Sequence, residues 1–359
     1  MQHFYEMLFL YFTGPWLNFI SKISQNVDYN LSSVCIHCAI LLSLACLSNF
    51  ARKLYYFFNK NEQLKRPTII TSLLILLLNI AYLLYSAASQ NSITPYLAPS
   101  YYRVPLKQKL DAKSTQVPQS FITWRDAHAI KTLKEQFDWN EYINLSNQAI
   151  IVDANLRISE ISQSFGYTTG PPVSKIKILS GIPRILGYAY GGPAYYDSTT
   201  HEIVLPEPED YPASRYFFIS TIYHEISHAL VFQNEIDASL IQYLAMRSSQ
   251  FRTIRALAEF MWLEYSSRAS WSILLTKLES NEVNAQFLEE IRKSRIQVSS
   301  RMSNLPLVRS IQNIMQSLNF YNSSQKYGIT PHQFSNSTFY QVVYQLEGDT
   351  WIKQSNSIE

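Results

Sequence analysis

The chain has 359 residues, 47% of them hydrophobic, enough to bury a large core and hold roughly one to three domains. A net charge of +3 is too small to build a nucleic-acid surface, so no nucleic-acid partner is expected. All three cysteines, Cys35, Cys38 and Cys46, fall in one apolar segment, so the rest of the chain needs no disulfide framework.

Residues 1–30 open on an aromatic, apolar stretch, Phe4 to Phe12, followed by Gly14-Pro15 and then Trp16, Leu17, Phe19 and Ile20. This reads as a short span or an interfacial segment. It lacks the basic start and small-residue cleavage site of a signal peptide. Two membrane spans are expected next, at about 31–50 and 68–88, forming a hairpin over residues 31–88. The first contains Cys35-Ile-His-Cys38, read as small residues in a span rather than a redox or metal pair. The loop between them, Ala51 to Pro67, carries Arg52, Lys53, Lys60, Lys65 and Arg66 against a single Glu62. By the positive-inside rule this loop is cytoplasmic, and everything after Ala88 is outside. The expected location is therefore the cell (inner) membrane, multi-pass, with the lipid bilayer as a partner.

Residues 89–120 read as a linker, with Pro95, Pro99, Pro105 and Pro118 and with Tyr96, Tyr101 and Tyr102 near the membrane face. The main domain is expected over 121–359. Trp124 to Phe137 and Trp139 to Gly166 have helical patterns, with Gly166 as a stop. Ser174 to Leu179 alternates like a strand, and His201 to Leu205 reads as a second strand stopped by Pro206.

The densest chemistry lies in Ser214 to Met246, which no proline or glycine interrupts. Ser214 is the expected N-cap of a helix. A turn is expected over Val231 to Asn234, with a second helix from Glu235. Inside the first helix His224-Glu225-Ile226-Ser227-His228 matches H-E-x-x-H. Two histidines four apart share one helical face and can grip one metal ion, and Glu225 between them can act as general base towards a water at that ion. A catalytic zinc takes three protein ligands and keeps a position open, so a third is needed nearby. Glu235 and Asp237, in the first turn of the second helix, are both candidates.

Beyond the motif, Phe251 to Leu278 reads as one long helix with Trp262 and Trp271 inward and with Glu259, Glu264 and Arg268 in solvated pairs. Asn281 to Ser303, Ile311 to Leu318 and Phe339 to Leu346 complete a helical set. A peptidase also needs a donor for the oxyanion. Tyr340, then Tyr327 and His332, are candidates, but with 25 tyrosines in the chain none stands out.

The segment HEISHALVFQNEIDASLIQYLA resembles the gluzincin pattern of zinc metallopeptidases, H-E-x-x-H followed by E-x-x-A. It is most similar to uncharacterised bacterial membrane-anchored zinc peptidases, which are related to predicted aminopeptidases. The resemblance implies Zn2+ held by His224, His228 and Glu235, with Glu225 as the catalytic residue. It also implies a strand, at His201 to Leu205, forming the sheet edge that pairs with extended substrate, while the residues themselves read equally well as an ordinary sheet strand. Ser239 and Val231 depart from the pattern, which usually has Asn or Asp after the alanine and glycine after the second histidine.

The expected fold is α+β and mostly helical, a transmembrane hairpin followed by a zincin-like domain with a small sheet. The expected function is a membrane-anchored, zinc-dependent metallopeptidase acting on a peptide or protein outside the cytoplasm. The alternative is a catalytically silent membrane scaffold or binding protein that retains a zinc site. A transporter is disfavoured, because two or three spans without a buried charge make a poor pathway. The sequence leaves the oligomeric state open.

Overall fold

A computed structural model describes residues 117–167, 169–178, 194–197, 202–205, 214–230, 235–266, 271–303 and 339–348. It also describes short helical stretches nearer the N-terminus, chiefly 41–48 and 74–77. The protein is mostly helical, with a small sheet.

Three helices open the main body: α1 (Gln119–Gln136), α2 (Trp139–Asn144) and α3 (Asn147–Ser164). Pro118 stands at the N-cap of α1, where its missing N–H costs nothing. Asp138 caps α2 by accepting from Asn140 N at 2.9 Å and Glu141 N at 3.2 Å, and Ser146 caps α3 by accepting from Ala149 N at 3.1 Å. Gly166 ends α3 with a φ of 72°, and Tyr167 N then reaches back to Ser162 O at 2.9 Å. The stop at Gly166 is as the sequence predicts, but 139–166 is two helices. The break at Leu145-Ser146 is held from a distance. Arg215 donates to Tyr142 O at 2.6 Å and to Leu145 O, satisfying the last carbonyls of α2.

Strands β1 (Ile176–Ile178), β2 (Tyr195–Asp197) and β3 (Glu202–Leu205) form one sheet in the order β1-β3-β2. β1 runs parallel to β3, pairing Ile176 with Ile203, and β2 runs antiparallel to it, pairing Tyr196 with Ile203. β3 is therefore the central strand, buried at all four residues, and not the expected substrate-pairing edge. Its run Ile203-Val204-Leu205 explains this, since a strand apolar on both faces belongs inside a sheet. His201 lies outside the described residues.

The remaining helices are α4 (Arg215–Leu230), α5 (Glu235–Arg247), α6 (Arg252–Ser266), α7 (Trp271–Ser280), α8 (Ala285–Ser303) and α9 (339–348). The expected turn at Val231–Asn234 falls between α4 and α5. The expected helix from Phe251 to Leu278 is α6 and α7. The one expected from Asn281 begins at Ala285, because residues 281–283 close α7. There Glu282 takes a φ of 58° and Val283 N bonds Leu278 O at 3.1 Å, and Asn284 then caps α8 through Phe287 N. Residues 311–318 lie outside the described residues. The core gathers on α4, where Tyr216, Ile219, Ile222, Tyr223 and Ile226 are all buried. The helix packs against α3, α5, β2 and β3.

A second buried feature corrects the expectation for Glu259, which is paired in the interior rather than solvated. Arg125 of α1 is fully buried, with its guanidinium 5.1 Å from the centre of the Trp262 ring. It pairs with Glu259 of α6 at 2.5 Å and Glu347 of α9 at 2.9 Å, and donates to the Tyr243 hydroxyl at 2.6 Å. Arg247 of α5 pairs with the same two carboxylates, at 3.3 Å from Glu259. Four helices thus meet at two arginines and two glutamates. Glu264 is likewise taken, by the Tyr216 hydroxyl.

Removing one partner of a buried pair leaves a stranded charge, and this is costly. Glu259→Ala is expected to lower the unfolding free energy by roughly 3–5 kcal/mol. The double change Arg125→Met with Glu259→Leu leaves Arg247 and Glu347 paired and is expected to cost less than Glu259→Ala alone. Chemical denaturation of the three proteins reads this ordering directly.

Candidate metal centre

Ser220, His224 and His228 recur every fourth residue and so share one face of α4. The two imidazoles stand edge to face with centroids 4.7 Å apart, and their Nε2 atoms approach to 3.1 Å. Two zinc–nitrogen bonds of about 2.0–2.1 Å meeting near the tetrahedral angle span roughly 3.3 Å. The pair therefore fits two ligands of one zinc ion with little adjustment. Glu225, the next residue after His224, is 6% exposed. The sequence motif thus becomes two converging ring nitrogens, with a buried glutamate at the next position of the helix.

The rest of α4 is fastened by groups far away in the chain. At its start Arg215 N donates to Glu290 of α8 at 2.5 Å, and the same carboxylate oxygen accepts from the Tyr142 hydroxyl at 2.8 Å. Ser214 holds the predicted N-cap position, yet the carboxylate serving the first turn is Glu290. In the middle, the Tyr223 hydroxyl donates to Asp153 of α3. Burial first, and then the neighbouring Asp153 carboxylate, push that hydroxyl well above its ordinary pKa, so it stays protonated and donates. Asp153 also accepts from Ser249 Oγ at 2.5 Å and Gln250 N at 3.3 Å, and lies 3.5 Å from Arg157. At the C-terminus Gly170 N donates to Leu230 O at 2.7 Å. A Cβ on Gly170 would stand 3.0 Å from Ala229 O, so glycine lets this loop cap α4 two residues past His228. Asn155 holds the loop through both polar groups of Val173, donating to its carbonyl at 2.7 Å and accepting from its N–H at 2.9 Å.

From α5, Gln242 reaches across to the histidine face. Its Oε1 lies 3.1 Å from His224 Nδ1, and its Nε2 donates to Ser220 O at 3.0 Å and Ser220 Oγ at 2.6 Å. Gln242 is buried at 3% exposure. Sequence reasoning overlooked it, although its spacing from Glu235, seven residues or two helical turns, puts both positions on one side of α5.

Of the sequence-predicted residues, His224 and His228 come together, and Glu225 is buried at the next position of α4. Glu235 is the first residue of α5, and its side chain lies outside the described residues. Asp237 is buried. Among the described residues no three histidine, cysteine, aspartate or glutamate side chains gather into a metal-binding group. The oxyanion candidate Tyr340 is committed elsewhere, for its hydroxyl donates to Tyr265 O and its ring packs 5.6 Å from that of Trp262. Tyr327 and His332 lie outside the described residues.

No curated protein and no solved structure matches this chain. A family of proteins of unknown function, DUF3810, matches residues 15–330, and its description names neither a peptidase nor any other activity. With the match running from the N-terminal segment through the histidine pair into the C-terminal helices, the chain belongs to the DUF3810 family.

Proposed function

We propose that this protein is a membrane-anchored zinc metallopeptidase. The observation that carries the reading is the convergence of His224 and His228 Nε2 at 3.1 Å beside the buried Glu225. In this reading His224, His228 and Glu235 hold zinc, and the domain is zincin-like. Bound zinc supplies Lewis-acid polarisation of the scissile carbonyl and acidifies the attacking water. Glu225 accepts the proton of that water and returns it to the leaving amine. The buried surroundings suit this work, because they limit access of bulk water to the carboxylate. A merely structural metal site has no use for a general base at position 225.

Helix geometry favours Glu235 as third ligand. At 3.6 residues per turn, position 235 lies about 20° around α5 from Gln242, whereas position 237 lies about 140° away. Gln242 meets His224, so position 235 shares the side turned towards α4.

Membrane attachment rests on two further observations. Leu41, Leu42, Leu44 and Leu47 in the helical stretch 41–48, and Leu74 and Leu77 in 74–77, are all exposed. A row of bare leucines is costly in water and stable in lipid. The basic loop 51–67 lies between them in sequence and assigns the main body to the outer side. Among the described residues no helix is long and apolar enough to cross a membrane, and the proposed spans 31–50 and 68–88 fall largely outside them.

Metal analysis of the purified full-length protein is expected to give about one zinc per chain, with little or none in His224→Ala. Glu225→Gln is expected to keep the zinc while peptide hydrolysis falls roughly 100-fold or more. Wild-type protein without zinc sinks the reading; a fully active Glu225→Gln enzyme sinks the mechanism.

A chelator-competition titration separates the two acidic residues. Glu235→Ala is expected to weaken zinc strongly, and Asp237→Ala much less. The reverse ranking transfers the ligand role to Asp237.

Protease added to spheroplasts is expected to digest the chain beyond Ala88 and spare the 51–67 loop. Protection of the C-terminal domain until the membrane is opened inverts the topology.

A further inference from the structure

The geometry points to Gln242 as the positioning residue that fixes the tautomer of His224, so that the Nε2 lone pair of that ring is presented to the metal. The inference rests on the zinc reading of the histidine pair and deepens it.

A glutamine amide has one accepting end and one donating end, and which of them faces a histidine decides where the ring carries its proton. Here the answer comes from the far side of the amide. Gln242 Nε2 is 3.0 Å from the backbone carbonyl of Ser220, and a carbonyl can only accept. The same nitrogen is 2.6 Å from the Ser220 hydroxyl. Turning the amide over would press Oε1 against the Ser220 carbonyl, acceptor against acceptor, in a site where Gln242 is 3% exposed and water cannot relieve the clash. Oε1 must therefore face His224.

An amide oxygen cannot donate, so His224 Nδ1 must. A neutral imidazole protonated on Nδ1 carries its lone pair on Nε2. That nitrogen is the one 3.1 Å from His228 Nε2, where the two rings converge. Ser220 lies one turn before His224 on the same face, so Gln242 grips α4 at two points and sets the ring's rotation as well as its proton. Partners of this kind around metal-binding histidines raise metal affinity, typically by roughly 10- to 100-fold.

The test uses full-length protein labelled with 15N-histidine, which is tractable with seven histidines in the chain. The His224 signals are assigned by their loss in His224→Ala. In the metal-free wild type, His224 is expected to be protonated at Nδ1 and bare at Nε2. Gln242→Met keeps the shape and removes the acceptor; it is expected to give mixed tautomers and to weaken zinc roughly 10- to 100-fold by chelator competition. Gln242→Glu keeps an acceptor towards Nδ1 but sets its second oxygen against the Ser220 carbonyl; it is expected to keep the wild-type tautomer while lowering the stability of the fold. A wild-type ring protonated at Nε2 overturns the inference, as does Gln242→Met with unchanged tautomer and zinc affinity. Should Gln242→Met fail to fold, the wild-type and Gln242→Glu spectra still decide. A wild type that binds no zinc overturns the peptidase reading, and the spectra still report whether Gln242 holds the ring's proton.

Discussion

The hydrogen bond from Tyr223 to Asp153 joins the back of the histidine helix to α3 where water does not reach. The next residue along, His224, faces the other way, towards Gln242 and His228. A buried carboxylate is stable only when its lone pairs are occupied. Asp153 meets that demand with Tyr223, Ser249, Gln250 and Arg157, drawn from α3, α4 and the junction of α5 with α6. One aspartate therefore sets both the rotation of α4 and the point at which α5 gives way to α6. The histidine face meets α5 because the tyrosine face is pinned to α3.

The buried arginine–glutamate group plays a similar part for the outer helices. It brings α1, α5, α6 and α9 to one point and places Arg247 at the far end of the helix that carries Gln242. Helix α5 thus has polar anchors at Gln242 and at Arg247. Between them Tyr243 and Met246 are fully buried, so the helix can neither slide nor roll without uncovering apolar surface.

Local chemistry was legible in the sequence and non-local chemistry was not. The H-E-x-x-H face, the stop at Gly166 and the strand at Ile203 all follow from spacing, from residue pattern and from the conformational freedom of one glycine, while the turn expected at Val231–Asn234 lies outside the described residues. The break between α2 and α3 could not be read, because Arg215, which completes it, lies some 70 residues away. Glu259 looked like a surface charge because its partners, Arg125 and Arg247, come from other helices. For the strand at His201 to Leu205 the sequence left a substrate-pairing edge and an ordinary sheet strand equally open, and pairing with β1 and β2 decides for the latter. Gln242 escaped notice because glutamine is ordinary on a helix and gains meaning only opposite a histidine.

The partners that hold these parts together are widely separated along the chain. Tyr223 and Asp153 are 70 residues apart, Arg215 and Glu290 75, Arg247 and Glu347 100, and Arg125 and Tyr243 118. Long loops must close before any of these contacts gives a return, so a fold built on them forms slowly. A chain emerging N-terminus first carries Arg125 for a long time before Glu259 and then Glu347 arrive to neutralise it. Tyr243 and Glu259 can receive the guanidinium once α5 and α6 are made, and its second carboxylate comes only with α9. Helix α9 thus completes the charge group that ties α1, α5 and α6 together.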